Sequence, residues 1–239
     1  MSKLKFYEKS HKYKIGKTTL TSVTTFIGKF FEPFDAKGIA RKLARFPINK
    51  ERKHGVRYFL KDWKEAAEHG TRTHEMLELA IDPAATEEPI SKENRDWNKF
   101  KQGMDWWEEY NKNTDVENSM CELRIYNEEL LLAGTIDLMV VHKDMSISLI
   151  DWKTNKAIKK TGYHHKRAFV PIEDLHDCNY NKYTLQLSLY AYMMERAGYT
   201  IRDLIIVHLM EDKSKEYKVE YKKEIIKKLL EVKDGKRKI

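Results

Sequence analysis

Cysteine is almost missing: Cys121 and Cys178 are the only two in 239 residues. Two thiols build neither a disulfide framework nor a four-cysteine iron–sulfur cluster, so no iron–sulfur cluster is expected, and both read as reduced structural thiols of a cytoplasmic protein. No apolar run approaches the roughly 20 residues that span a bilayer, so no membrane-spanning helix is expected. The N-terminus lacks an apolar signal core, and Glu8 within a strand-like alternation speaks against a mitochondrial transit peptide. Internal repeats and low-complexity tracts are absent too. What is present is the composition of a soluble globular protein, 34% charged and 41% hydrophobic, long enough to bury one core over 1–239. A net charge of +8 points to polyanionic partners.

One stretch organises the chain, AGTIDLMVVHKDMSISLIDWKT at residues 133–154. The apolar runs Ile136 to Val141 and Ile147 to Ile150 flank a polar break at His142 to Met145, the pattern of two strands joined by a short turn. Side chains alternate along a strand, so Asp151 and Lys153 share a face. With a three-residue turn, Lys143 to Met145, His142 opposes Ser146 and Asp137 lies across from Asp151. A two-residue turn would send Asp137 to the other face unless a bulge restored it. Like charges facing each other across strands destabilise the pair, so something positive has to sit between these carboxylates. Lys153 supplies one charge, and two acidic oxygen ligands also describe a hard divalent cation site for Mg²⁺ or Mn²⁺. Taken alone, the same residues also read as a strand-end turn aspartate and a surface salt bridge of little energetic weight. Gly134, just before the first strand, lets backbone or ligand approach closely.

Around this hairpin, helix and strand signals alternate. Lys5 to Ile15 reads as a small hairpin about Lys9 and Ser10. Ser22 offers an N-cap to a helix over Val23 to Phe31 that Pro33 stops, and a second helix covers Asp35 to Arg45 until Pro47. Phe46 to Val56, with Lys50, Arg52, Lys53 and His54, is a polar, basic connection that reads as a solvated loop before it reads as a contact to a nucleic acid backbone. Arg57 to Glu68 is helical, with Gly70 interrupting before a new start at Thr71. Pro83 to Pro89 is a loop, and Ser91 caps a helix to about Tyr110 whose Trp97, Trp106 and Trp107 read as packing. Val116 to Tyr126 is a strand containing Glu122, whose face depends on turn length. Lys156, Lys159, Lys160, Lys166 and Arg167 follow the hairpin with no acid before Glu173, either as a solvated loop or as a flexible one that tracks phosphates. Asn181 to Ala197 is a helix closed by Gly198. Strands over Leu204 to Met210 and Tyr217 to Tyr221 and a helix over Lys222 to Val232 complete the chain.

Four short motifs occur in order: G-T-x-x-H followed by L-E at Gly70 to Glu78, G-T-I-D at Gly134 to Asp137, D-W-K at Asp151 to Lys153, and Q-L-S-L-Y at Gln186 to Tyr190. Together, over a predicted helix, two strands and a helix, they resemble the RecB-type branch of the PD-(D/E)XK nuclease superfamily, which includes phage exonucleases and mitochondrial genome maintenance exonucleases. The resemblance implies an α/β, restriction-endonuclease-like core, a mixed central β-sheet flanked by helices over 70–239. An N-terminal hairpin and helical extension over 1–69 would belong to the same single domain.

It also implies a metal site. His74 would hold Mg²⁺ (or Mn²⁺) with Asp137, Asp151 and the main-chain carbonyl of Trp152, while Lys153 orients or deprotonates water. Glu78 would fix the imidazole tautomer. Glu122 would be auxiliary, and Gln186 and Tyr190 would support the site and contact the DNA strand. The implied activity is a metal-dependent DNA exonuclease acting on single- or double-stranded ends in phage or bacterial DNA processing, recombination or repair. A structure-specific or restriction-like endonuclease on the same fold is the competing enzyme. A catalytically inactive DNA-binding module is the competing non-enzyme, and the acid, acid, lysine and histidine set argues against it, because carboxylates beside phosphate hinder mere binding.

Overall fold

The computed structural model describes residues 4–7, 12–82 and 96–234. The turn at Lys9 and Ser10, the loop from Pro83 to Pro89 and the cap at Ser91 lie outside these residues. The expected N-terminal hairpin forms from β1 (Leu4–Tyr7) and β2 (Lys12–Ile15), and β3 (Thr18–Ser22) pairs with β2. The Ser22 hydroxyl then caps α1 (Val23–Gly28) by accepting the Thr25 N–H at 3.1 Å. This helix stops three residues short of Phe31. Asp35 caps α2 (Ala36–Ala44) in the same way, through the Gly38 N–H at 2.9 Å. Pro47 opens the one-turn α3 (Pro47–Glu51), where its missing N–H costs nothing, so the expected basic connection is partly helical.

The expected interruption at Gly70 does not occur, because α4 (Val56–Ile81) runs unbroken through it. A Cβ at Gly70 would come within 2.8 Å of Thr154 Oγ1. The glycine therefore serves a close approach of helix to strand end rather than a break. The rest follows the predicted order: α5 (Trp97–Asn113), β4 (Val116–Asn127), β5 (Leu132–His142), β6 (Ser146–Lys153), α6 (Asn179–Arg196), β7 (Thr200–Leu209), β8 (Ser214–Val219) and α7 (Lys223–Asp234).

The strands form a mixed eight-stranded sheet in the order β1-β2-β3-β5-β6-β7-β8, with β4 paired to β5. Antiparallel β4 covers one edge of β5 along its length. The opposite edge is shared: β3 pairs in parallel with Leu132 and Ala133, and β6 pairs antiparallel from Leu138 to Val141. A gap in the ladder is left between them at residues 134–137. β6 itself is buried almost throughout, as a strand covered on both faces must be.

Helices cover both faces. On one, α4 and α5 pack Met76, Leu77, Phe100, Trp106 and Trp107 against Leu138, Val140, Ile150 and Trp152. As expected, the tryptophans pack rather than project: Trp106 meets Trp152 edge-on with ring centres 5.4 Å apart. On the other face, α1, α6 and α7 pack against Met139, Ile147, Leu149, Leu204 and Ile206. α4 and α5 meet at Gly103, where a Cβ would lie 2.7 Å from Leu77 Cδ2. Leu77 is fully buried at this crossing. Leu77→Ala should therefore lower the free energy of unfolding by about 2–5 kcal/mol in urea titration. A loss below about 1 kcal/mol would show that α4 is not packed as described.

Candidate active site

The three-residue turn decides where the acids fall. Met145 takes the left-handed conformation (φ 66°) and donates its N–H to His142 O at 2.8 Å, giving the register Val141 to Ile147 through Leu138 to Ile150. Beyond Ile150, β6 leaves β5 while staying paired with β7. The Trp152 N–H is accepted there by Asp137 Oδ2 at 2.9 Å instead of by the β5 main chain. The carboxylate thus fills the ladder gap and fixes the splay of the two strands.

Three side chains from three elements converge at this gap. One ligand atom each from His74 (α4), Glu122 (β4) and Asp137 (β5) lies within 4.8 Å of the others. His74 Nδ1 is 3.5 Å from Asp137 Oδ2. Burial and then the Lys153 charge lower its pKa to about 4, against the pull of Asp151 and a hydrogen bond to the Trp152 main chain. The imidazole is therefore neutral at pH 7, with a lone pair to offer. Burial raises Asp137, while Lys153 and the Trp152 N–H hold it back. Glu122 is pushed up to about 8 by burial, then by Asp137 and Glu78. It also sits in the left-handed conformation (φ 46°) inside a strand, which costs a non-glycine residue about 1–2 kcal/mol. Two half-buried carboxyls, Asp137 raised by burial and Glu122 by burial and the charge of Asp137, form with the neutral imidazole a donor set that fits a divalent cation. Glu122, read from the sequence as auxiliary, stands in this closest group.

Asp151 is turned to other partners. Its Oδ2 lies 2.5 Å from Lys153 Nζ, and its Oδ1 accepts from Gln186 Nε2 at 2.9 Å. Burial, partly offset by Lys153, raises its pKa to about 6. Burial alone would lower Lys153, but Asp151 and Asp137 outweigh it and leave the pKa raised, so the amine holds its proton. Gln186 also hydrogen-bonds Tyr190. The buried Tyr190 ring explains Gly134, where a Cβ would sit 2.5 Å from Tyr190 Cε1. The close neighbour at that glycine is a side-chain ring, not the backbone or ligand expected there. Tyr183, unnoticed in the sequence, places its ring 4.5 Å from Lys153 Nζ, and its spacing of three from Gln186 on one helix was the available signal.

Two expected roles look different in place. Asp137 and the Trp152 main chain hold the His74 imidazole, whereas Glu78 acts through its charge on Glu122. The stretch after β6 is tied down rather than flexible. Lys156 reaches Asp62 at 3.3 Å, Lys160 lies over the Tyr180 ring, Lys166 pairs with Glu32, and Arg167 donates to Asp174 O at 2.6 Å. A bridge between Arg167 and His176 and a bond from Phe169 N–H to Phe30 O pin the loop itself. Lys159 remains exposed.

The sequence profile of the PD-(D/E)XK nuclease superfamily matches residues 43–234. No curated protein matches the chain. Among solved structures, the crystal structure of SSO0001 is 17% identical, with a TM-score of 0.31. That alignment covers 53% of each chain, so this chain spans about half the length of that relative. A likeness this remote carries no argument about activity.

Raised carboxyl pKa values set a sign. An acid whose folded pKa exceeds its unfolded value contributes stability that is fully present below the unfolded pKa and is lost as pH rises through the folded one. For Glu122 that window runs from its ordinary 4.5 to about 8, and Asp151 acts in the same direction up to about 6. His74, lowered to about 4, acts with the opposite sign up to its ordinary 6.5, so above that pH the Glu122 effect stands without it. In EDTA the melting temperature should fall between pH 6.5 and 8, less so in Glu122→Gln, and Mg²⁺ or Mn²⁺ should raise it more at pH 8 than at pH 6.5. A metal-free melting temperature that rises across this range would contradict the site's electrostatics.

Proposed function

The chain belongs to the PD-(D/E)XK nuclease superfamily, and on that premise we propose that it is a Mg²⁺-dependent DNA exonuclease with its centre at His74, Glu122, Asp137, Asp151 and Lys153. Superfamily membership implies a metal-dependent nuclease acting on DNA. The observation that carries the finer reading is the convergence of His74, Glu122 and Asp137 beside the Asp151–Lys153 pair. His74, Glu122 and Asp137 would hold the cation, with Asp151 and the Trp152 carbonyl next in reach. When bound, a divalent cation there supplies Lewis-acid polarisation of the phosphoryl oxygens and a lowered water pKa. The Lys153 ammonium balances charge developing on the phosphate and orients the attacking water. Its raised pKa favours that role over deprotonation. Gln186 holds Asp151 in place from α6, and Tyr183 braces the Lys153 side chain.

The likeness of the four motifs to end-processing enzymes of the RecB-type branch supports exonuclease over endonuclease, and a role in phage or bacterial DNA processing, recombination or repair. The continuous sheet from β1 to β8 supports reading the chain as one domain.

Asp137→Ala, Asp151→Ala and Lys153→Ala should each lower hydrolysis of an end-labelled oligonucleotide by about 10²-fold or more while leaving DNA binding within a few-fold. Wild-type rates in any of the three would remove that residue from the centre. Linear DNA should be degraded and closed circular DNA spared; cutting of the circle would favour the endonuclease.

A further inference from the structure

Residues 36–64 hold ten Lys and Arg against two Asp and Glu, a net charge of +8 that equals the charge of the whole chain. The remainder of the molecule is neutral. All ten basic side chains are exposed, and among the described residues none from Lys37 to Arg57 has a carboxylate within salt-bridge reach. Lys61 and Lys64 only face Glu65 and Glu68 one turn on.

The same segment and its approach carry aromatic rings where solvated residues are the norm. Phe34 is 68% exposed, Phe46 55% and Tyr58 46%. Phe34 and Tyr58 belong to one cluster of rings. His54 stacks on Tyr58 with centres 3.8 Å apart and planes at 6°, and contacts continue through Phe59 and Trp63 to Phe34. Charge without aromatics would suit any polyanion, and rings without charge would suit a protein partner. Partly exposed rings set among cations without a salt-bridge partner suit a nucleic acid strand whose bases are free to stack. A duplex offers its phosphates to such a surface but keeps its bases inside.

From this juxtaposition we propose that α2, α3 and the first turns of α4 form a docking surface for single-stranded DNA, with Phe34 and Tyr58 as stacking positions and Arg52 and Lys53 as phosphate contacts. The proposal rests on the nuclease reading for its direction, because α4 joins the two places. From Tyr58 to His74 along one continuous helix is about 24 Å at 1.5 Å per residue. That distance is about seven nucleotides at the stacked spacing of 3.4 Å. Lys156, three residues past Lys153, reaches Asp62 between these points and closes the path on the strand side.

The test is fluorescence anisotropy with labelled oligothymidylate of about 20 nucleotides and a blunt duplex of equal length, both in EDTA, so that binding is read apart from cleavage. Phe34→Ala/Tyr58→Ala should bind the single strand about tenfold or more weaker and the duplex within about threefold of wild type. Tyr58→Phe, which keeps the ring, should retain single-strand affinity. Arg52→Ala/Lys53→Ala should reduce the salt slope of single-strand binding by about 1.4. Equal losses on both substrates, or none, would overturn the surface and leave the nuclease centre standing. Tight single-strand binding without hydrolysis in Mg²⁺ or Mn²⁺ would overturn the centre and leave the surface standing.

Discussion

The separation of β6 from β5 beyond Ile150 is the constraint on which the site depends. Two antiparallel strands that stayed paired would bury Asp137 and Asp151 against each other with no room for anything between them. Here the Asp137 side chain accepts the Trp152 N–H, which satisfies a buried donor and holds the strands apart at the same time. The gap exists because β5 shares its edge between β3 and β6, and neither covers residues 134–137. Helix α4 brings His74 to that gap, and α6 brings Gln186, Tyr190 and Tyr183.

The electrostatics follow from this packing. Three carboxyls and one ammonium gather where water is scarce, and Lys153 alone does not neutralise Glu122, Asp137 and Asp151. All three acids have raised pKa values, and the lysine holds its proton. Such a group is stable without a cation only by taking up protons, and that is what makes it receptive to a divalent ion at neutral pH. The left-handed backbone at Glu122 fits the same account, since strain in a strand interior persists only where surrounding packing over-determines it.

Much of this was legible in the residues. Alternation placed Asp151 and Lys153 on one face, Asp137 joined them only in the three-residue turn that the fold adopts, and the helix period placed Gln186 and Tyr190 on one face. Glu122 was not placed, because the strand before the hairpin has its own turn and a backbone irregularity that period-two reasoning cannot foresee. Gly70 misled for a related reason: a helix glycine reads locally as a break, whereas its cause is the contact with Thr154 from a distant strand. The basic stretch from Lys156 to Arg167 read either as a solvated loop or as a flexible one that tracks phosphates, yet most of those cations find partners inside the protein. Composition shows charge but not its pairing, and only the fold shows that, among the described residues, the basic side chains from Lys37 to Arg57 have no carboxylate within salt-bridge reach.

If His74, Glu122 and Asp137 surround one cation, as proposed, electron spin-echo measurements on the Mn²⁺-loaded protein should show modulation from a single directly coordinated nitrogen that disappears in His74→Ala. A spectrum without nitrogen coupling, or one unchanged in that variant, would contradict the proposal.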